Sequence, residues 1–281
     1  MAHQNRIEVR KTYKLFINGA FPRSESGRVF EVIGKDKNFI ANPCLASRKD
    51  LRDAVTAARA AQAGWAQATA YNRGQILYRI AEMLEGRAEQ FSQEISSALG
   101  LTPAKAKAIV AQAIDCWVWY AGWSDKLSAI AGATNPVAGP YYNFTIPEPL
   151  GVVTIAAEDS FLDCIDALAA AVVSGNSVVA LIGGGLSVPM ATLAEVLATS
   201  DLPAGVINIL TGSLTELTPW AASHMDIDGF DISALAKKNR AVLKEAGAEN
   251  LKRFYEAGQS HNPARILAFM ESKTVWHTIG V

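Results

Sequence analysis

The chain has 281 residues, with 26 Lys and Arg against 27 Asp and Glu, for a formal net charge of −1. Hydrophobic residues make up 50% and charged residues 19%, which excludes a disordered chain and allows one large folded domain or two small ones. The balanced charge argues against nucleic acid or an anionic membrane surface as main partner, since either needs clustered Lys and Arg.

The polar Met1–Lys11 stretch has no apolar h-region, so no signal peptide is predicted and a reducing cytoplasm is the expected compartment. Lys14–Ile17, Asn18-Gly19 and Ala20–Pro22 read as a hairpin, because Asn-Gly supplies the two positive-φ positions of a tight turn. Arg28–Ile33 alternates like a second strand. Helices follow. Ser47 and Asp50 resemble a capping box ahead of the apolar positions Leu51, Val55 and Ala58. Ile76, Leu77, Ile80, Leu84, Ala88, Phe91 and Ile95 form one stripe, predicting a long amphipathic helix closed by Leu99-Gly100. Thr102-Pro103 restarts a helix that is predicted to run towards Ala131. It carries Trp117, Trp119, Tyr120 and Trp123, read as helix–helix packing rather than a stacking platform, because no basic residues interleave with them.

Asn135-Pro136 and Gly139-Pro140 mark a loop before an alternating strand, Tyr141–Ile146. From Val152 onwards short strands alternate with helices. The strands are Val152–Ile155, Ser177–Ile182, Val206–Leu210 and Asp228–Asp231, with Leu251–Tyr255 a candidate fifth. The helices are Asp163–Val173, Pro189–Ala198, a short one near Thr218, and Ala234–Ala246. This pattern predicts an α/β fold with a parallel, doubly wound sheet. The uncharged run Ala167–Ala194 is long enough for a membrane span, but Ser174–Ser177, Gly183–Gly185 and Pro189 divide it into helix, strand and helix. Ser272–Ile279 alternates again and reads as an edge or exchanged strand.

Cys44, Cys116 and Cys164 form no CxxC pair, so neither a disulfide framework nor a zinc site is expected. His3, His224, His261 and His277 lack metal-ligand spacing. Gly183-Gly184-Gly185 lacks GxGxxG spacing and a P-loop lysine, so a tight strand-to-helix turn is favoured over a weak phosphate cradle.

In this order and spacing the segments resemble the aldehyde dehydrogenase superfamily. Phe16-Ile-Asn-Gly19 with Ser26-Gly27-Arg28-Val-Phe-Glu-Val32 is similar to its opening hairpin, and Asn72-Arg73 with Ile76–Leu84 to an early helix. Glu148-Pro-Leu-Gly-Val-Val153, Gly175-Asn176-Ser177-Val-Val179 and Leu202-Pro-Ala-Gly-Val-Ile-Asn-Ile-Leu-Thr-Gly212 resemble its Rossmann-domain motifs. Lys11–Leu15, Phe21–Gly27 and Lys273-Thr-Val-Trp276 resemble more narrowly the truncated C-terminal module of the two-module, family sixteen enzymes.

The resemblance implies a Rossmann-like domain over 1–258 with N-terminal hairpin and helices, interrupted by a flap strand at 138–148, and a C-terminal oligomerisation strand at 259–281. It also implies what this chain lacks. The family's thiol-bearing catalytic domain is expected to be missing, because the chain passes from near Gly258 to the terminal strand within a few residues. Ser160 stands where the family has its oxyanion asparagine, beside Glu158 and Asp159. Leu181 and Gly184 replace the lysine and glutamate that hold the cofactor's ribose. Asp231 and Ile232 fall in the loop that faces its pyrophosphate, where Asp231 is expected to repel phosphate. Glu256 falls near the place of the family's glutamate base, but with no thioester to hydrolyse it is read as an ordinary surface carboxylate in preference to a base. No catalytic, cofactor-binding or metal-ligating residue is therefore assigned, and no cofactor. The expected role is a non-catalytic module for oligomerisation, scaffolding or regulation. Its partners would be a second copy or a full-length aldehyde dehydrogenase, docked through a ribbon of Tyr141–Ile146 and Ser272–Ile279. The alternatives are a subunit that keeps NAD binding and completes its site with another chain, and a ribbon that folds back on its own chain.

Overall fold

Asn18 and Gly19 take φ of 52° and 72°, and Ile17 and Ala20 exchange both backbone hydrogen bonds at 3.0 Å, the two-residue turn that Asn-Gly favours. The computed structural model describes residues 11–235, 237, 240–256 and 261–280. The hairpin lies against the main sheet, with Phe16 and Ile209 hydrogen-bonded in both directions at 2.9 and 2.8 Å. Arg28–Ile33 forms less strand than its alternation predicts. It makes a bridge from Val29 to Cys44 and the short β1 (Val32–Ile33), paired with β2 (Phe39–Ala41).

The capping box forms as expected at α1 (Arg48–Gln67), with Ser47 and Asp50 each accepting the other's backbone N–H. Asp50 is buried there because the Ser24 hydroxyl also donates to it at 2.7 Å. The stripe from Ile76 to Ile95 spans two helices rather than one, α2 (Ala70–Glu85) and α3 (Ala88–Leu99). The break falls at Gly86 and Arg87, where Arg87 leaves the helical region and its guanidinium bonds Glu195 at 2.6 Å. Both helices face the same core, so the periodicity runs through the break. Gly100, at φ 62°, closes α3. The next helix is likewise divided, into α4 (Pro103–Ala121) and α5 (Leu127–Ala131), by the turn after Gly122. Trp117 and Tyr120 are fully buried, and Trp119 and Trp123 pack beside them, which makes the aromatic cluster part of the core.

After β3 (Ala133–Asn135) and β4 (Tyr141–Pro149) comes the βα alternation. Its strands are β5 (Val152–Ala157), β6 (Ser177–Ile182), β7 (Ile207–Thr211), β8 (Gly229–Asp231) and β9 (Arg253–Tyr255). Its helices are α6 (Phe161–Val173), α7 (Ser187–Ala198), α8 (Leu214–Ser223) and α9 (Arg240–Ala248). The strands pair in parallel in the order β7-β6-β5-β8-β9, the doubly wound arrangement. Every residue of β5 and β6 is buried, which is why they read as unbroken apolar runs. The run Ala167–Ala194 divides into α6, β6, a single 3₁₀ turn and α7, and among the described residues no helix is long and apolar enough to cross a membrane.

A short helix, α10 (Pro263–Ala268), precedes β10 (Met270–Thr278) and had no counterpart in the sequence reading. It packs on α6, with Arg265, Ile266 and the following Phe269 buried. The boundary expected at 258 lies outside the described residues, and by packing the body extends to Phe269. From Met270 onward β10 pairs antiparallel with β4 over nine positions, from Met270 opposite Pro149 to Thr278 opposite Tyr141. The flap is three-stranded, not the two-stranded ribbon expected, because β3 adds to the other side of β4.

Asn176 ties flap to body. Its buried amide accepts from Gly151 N–H at 2.8 Å and donates to the carbonyls of Phe269 at 2.9 Å and Ala171 at 3.2 Å. Asn176→Ala should orphan these groups and lower stability by about 1–3 kcal/mol. Urea unfolding would register this as a lower midpoint at unchanged slope, and an unchanged midpoint would refute it.

Candidate functional site

In a sheet of this order the strands leave β5 in opposite directions, so the ligand crevice of such folds opens between the C-terminal ends of β5 and β8. After β5, Ser160 caps α6, accepting from Asp163 N–H at 3.2 Å. After β6, Gly183 to Leu186 make a strand-to-helix turn with Gly184 at φ 52°. A Cβ at Gly185 would overlap the Ala98 carbonyl on α3, so glycine is needed there for helix packing. Glu158 lies over the same turn, its Cγ 3.2 Å from where a Gly183 Cβ would be. A carboxylate over the glycines opposes an anion, which favours the tight-turn reading over a phosphate cradle. Leu181 is fully buried in β6.

The crevice itself holds a buried ion cluster. Arg265 of α10 is 1% exposed and reaches from α6, the helix leaving β5, to the end of β8. It ion-pairs with Asp166 on α6 and bonds Asp231 through Nε at 2.9 Å and Nη2 at 2.8 Å. Its Nη2 also donates to Ser233 Oγ at 2.6 Å. Asp166 accepts in addition from Tyr120 Oη at 2.9 Å and from His261 N–H at 3.3 Å. Burial works against the guanidinium's charge, but Asp231 and Asp166 outweigh it and hold Arg265 above its ordinary pKa. Burial, reinforced by Asp166, raises the Tyr120 hydroxyl and the Cys116 thiol. Asp231 thus departs from the expectation. It is turned inward, 1% exposed and ion-paired with Arg265 instead of standing at the surface. Ile232 is fully buried beside it.

Of the other candidates, Cys116 reaches the cluster, its thiol donating to Asp166 at 3.6 Å. Cys44, Cys116 and Cys164 are all buried and unpaired by disulfides, and burial pushes the Cys164 thiol up to about 12. Glu256 forms ion pairs with Lys244 and Arg240 at the surface. His261 packs at a tilt against Trp119 with ring centroids 5.2 Å apart, and His277 sits on the flap. His224 is lowered by burial. His3, Ala257 and Gly258 lie outside the described residues. Among the described residues no three His, Cys, Asp or Glu side chains are grouped to hold a metal.

Arg265 and Asp166 were absent from the sequence reading, though each left a signal. Asn262-Pro263 is a helix start, and Asn262 does cap α10 through Ala264 N–H at 2.9 Å. Asp166 is a charge on the otherwise apolar face Cys164–Val173, and a buried carboxylate requires a partner.

Sheet order, inward motifs and flap define a Rossmann-type body with an attached β-sheet. The profile of the aldehyde dehydrogenase family matches residues 22–279, and the chain belongs to that family. It is 30% identical over 281 aligned positions to an aldehyde dehydrogenase of Emericella nidulans, covering 98% of this chain and 56% of that relative. It is also 30% identical to the human mitochondrial 10-formyltetrahydrofolate dehydrogenase, over 89% of this chain and 28% of that protein. Among solved structures, the NAD+ complex of an aldehyde dehydrogenase from Bacillus cereus matches with a TM-score of 0.82 and 26% identity, covering 87% of this chain and 50% of that one. The chain thus spans about half the length of its fungal relative.

Two outcomes follow from the cluster. Arg265→Met leaves two buried carboxylates facing each other and should cost about 3–5 kcal/mol, measurable by urea unfolding; a loss below about 1 kcal/mol would mean that Asp166 and Asp231 are solvated without it. Cys164 keeps its proton to about pH 12 when folded but loses it near 9.0 when unfolded. Its contribution is therefore full below pH 9 and lost as pH rises towards 12. In the native protein at pH 8 Cys116 and Cys164 should be silent to a thiol-exchange chromophore and react fully in urea. Prompt native reaction would show them to be open.

Proposed function

We propose that this chain is a non-catalytic aldehyde dehydrogenase-like module, whose role is to assemble with and scaffold or regulate a partner. The observation that carries this reading is the path of the chain, with residues 256–262 alone between β9 and α10. Aldehyde oxidation through a thioester needs a reachable thiolate, donors for the oxyanion and a base for water. The three cysteines are buried, burial holds Cys116 and Cys164 in the thiol form, and Ser160 is engaged as a helix cap. Where a dinucleotide would enter, Arg265, Asp166 and Asp231 occupy the switch point, and Leu181 and Gly184 offer no side-chain donor or acceptor to a ribose.

A second reading is a subunit that retains NAD and completes its site with another chain. Its support is the likeness to the Bacillus cereus enzyme, whose solved structure is an NAD+ complex. Two missing charged contacts, at roughly 1.5–3 kcal/mol each, weigh against it.

Calorimetric titration with NAD separates the two. The first reading expects no saturable heat at tens of micromolar dinucleotide and no NAD-dependent turnover of simple aldehydes after repurification. A dissociation constant in the low micromolar range, or turnover that co-purifies with the chain, would overturn it.

A further inference from the structure

We propose that the free edge of β10 is a self-pairing edge, and that its partner is a second copy of this chain, joined antiparallel about Thr274. The inference rests on the assembly reading above and names its partner and contact.

The argument begins with backbone direction. Leu150 N–H donates to the Phe269 carbonyl at 3.0 Å, and Ile279 N–H donates to the Pro140 carbonyl at 2.8 Å. In an antiparallel ladder, residues that bond the neighbouring strand alternate with residues that face away from it. The odd-numbered residues of β10 therefore bond β4. The even-numbered ones, Met270, Ser272, Thr274, Trp276 and Thr278, point N–H and C=O outward. β10 is the outermost strand of its sheet, and from Glu271 to Gly280 every residue is exposed. Trp276 is 59% exposed and Ile279 51%.

The opposite edge of the flap is treated differently. There β3 covers Asn143 to Thr145, Tyr141 N–H is spent on the Gly139 carbonyl at 2.9 Å, and the remaining outward positions of β4 are Pro147 and Pro149, which have no N–H to offer. One edge is blocked by proline and the other carries nine consecutive residues with none, which is the condition for strand addition.

Register selects the second copy. Centred on Thr274, two β10 strands overlap over all nine residues, with Thr274 opposite itself, Ser272 opposite Trp276, and Met270 opposite Thr278. Every outward N–H and C=O then meets a partner. Glu271 falls opposite His277, and Lys273 opposite Val275. Centring on Lys273 would set two ammonium groups face to face, and centring on Val275 would set Lys273 against His277. Lys273 is meanwhile neutralised by Glu148 on β4 of its own flap. The product is a continuous six-stranded sheet with β3 at both ends.

The test uses the intact chain. Thr274→Pro removes an outward N–H without touching the β4 ladder, so the flap should stay folded while the dimer dissociation constant rises about 100-fold. Thr274→Val loses the hydroxyl bond to Thr145 but keeps the N–H, and should dimerise like the parent. Thr274→Cys should cross-link two copies under mild oxidation, and Ser272→Cys should not, because only the central residue meets its own counterpart. Sedimentation velocity and non-reducing electrophoresis read both. A parent-like dimer in Thr274→Pro, or equal cross-linking at 272 and 274, overturns edge pairing and leaves assembly through another face. A monomer at tens of micromolar overturns self-pairing; capture of a full-length aldehyde dehydrogenase by that monomer would keep the assembly reading with another occupant. NAD-dependent turnover would overturn the assembly reading itself, whatever the edge variants do.

Discussion

The guanidinium of Arg265, held in the interior between Asp166 and Asp231, fixes the route by which the chain leaves the body and enters the flap. One cation between two carboxylates leaves a negative excess in a region with almost no solvent. The excess is spread by donors from three segments: Tyr120 on α4 and the His261 backbone N–H onto Asp166, and Ser233 through both its N–H and its hydroxyl onto Asp231, while that hydroxyl accepts from Arg265. A buried pair of this kind adds little net stability over an apolar replacement, yet is costly to break. Its value here is geometric. α10 has six residues, too few to hold a position by helix propensity, and Arg265 supplies the directional contacts that seat it.

That placement also shapes the crevice. A doubly wound sheet leaves a cleft at its switch point as a consequence of topology, and a ligand normally fills it. In this chain a side chain from the segment that bridges β9 and β10 fills it. The short connection after β9 and the buried ion cluster beside β8 are therefore linked, because the connection carries Arg265.

Much of the body was legible in the sequence because its signals are local. Asn18-Gly19, the Ser47–Asp50 box, Gly100 and Thr102-Pro103 each specify a backbone conformation within a few residues, and the buried strands announce themselves by continuous Val, Ile and Leu. The illegible parts depend on contacts distant in sequence. The stripe through Ile76 and Ile95 is continuous whether or not the helix breaks, since both halves face one core; the break is set by Arg87 reaching Glu195. β3 has three residues ahead of Pro136, too few for alternation to register. Asp231 was read as a surface charge facing phosphate because its partner is 34 residues away.

The motifs that survive here are those that packing requires. Gly205, at φ 86°, would place a Cβ 2.7 Å from the Ala57 carbonyl, and Gly175, at φ 100°, sits 3.1 Å from the Ala66 backbone by the same measure. Asn176 satisfies buried backbone groups on three segments. Each would be retained by a chain that never meets a dinucleotide, so their presence is evidence for the fold and not for the chemistry. Ser160, Leu181, Gly184 and Ile232, the positions at which the resemblance implies ligand contact, serve as cap, core or turn in this structure. Selection on folding alone would preserve the first group and release the second. The flap belongs with neither: its strands contribute little to the body's core, and Tyr142, Ile146, Val275 and Trp276 stand exposed on it. An apolar surface that folding does not need, on a long unblocked strand edge, is what the proposed assembly would cover.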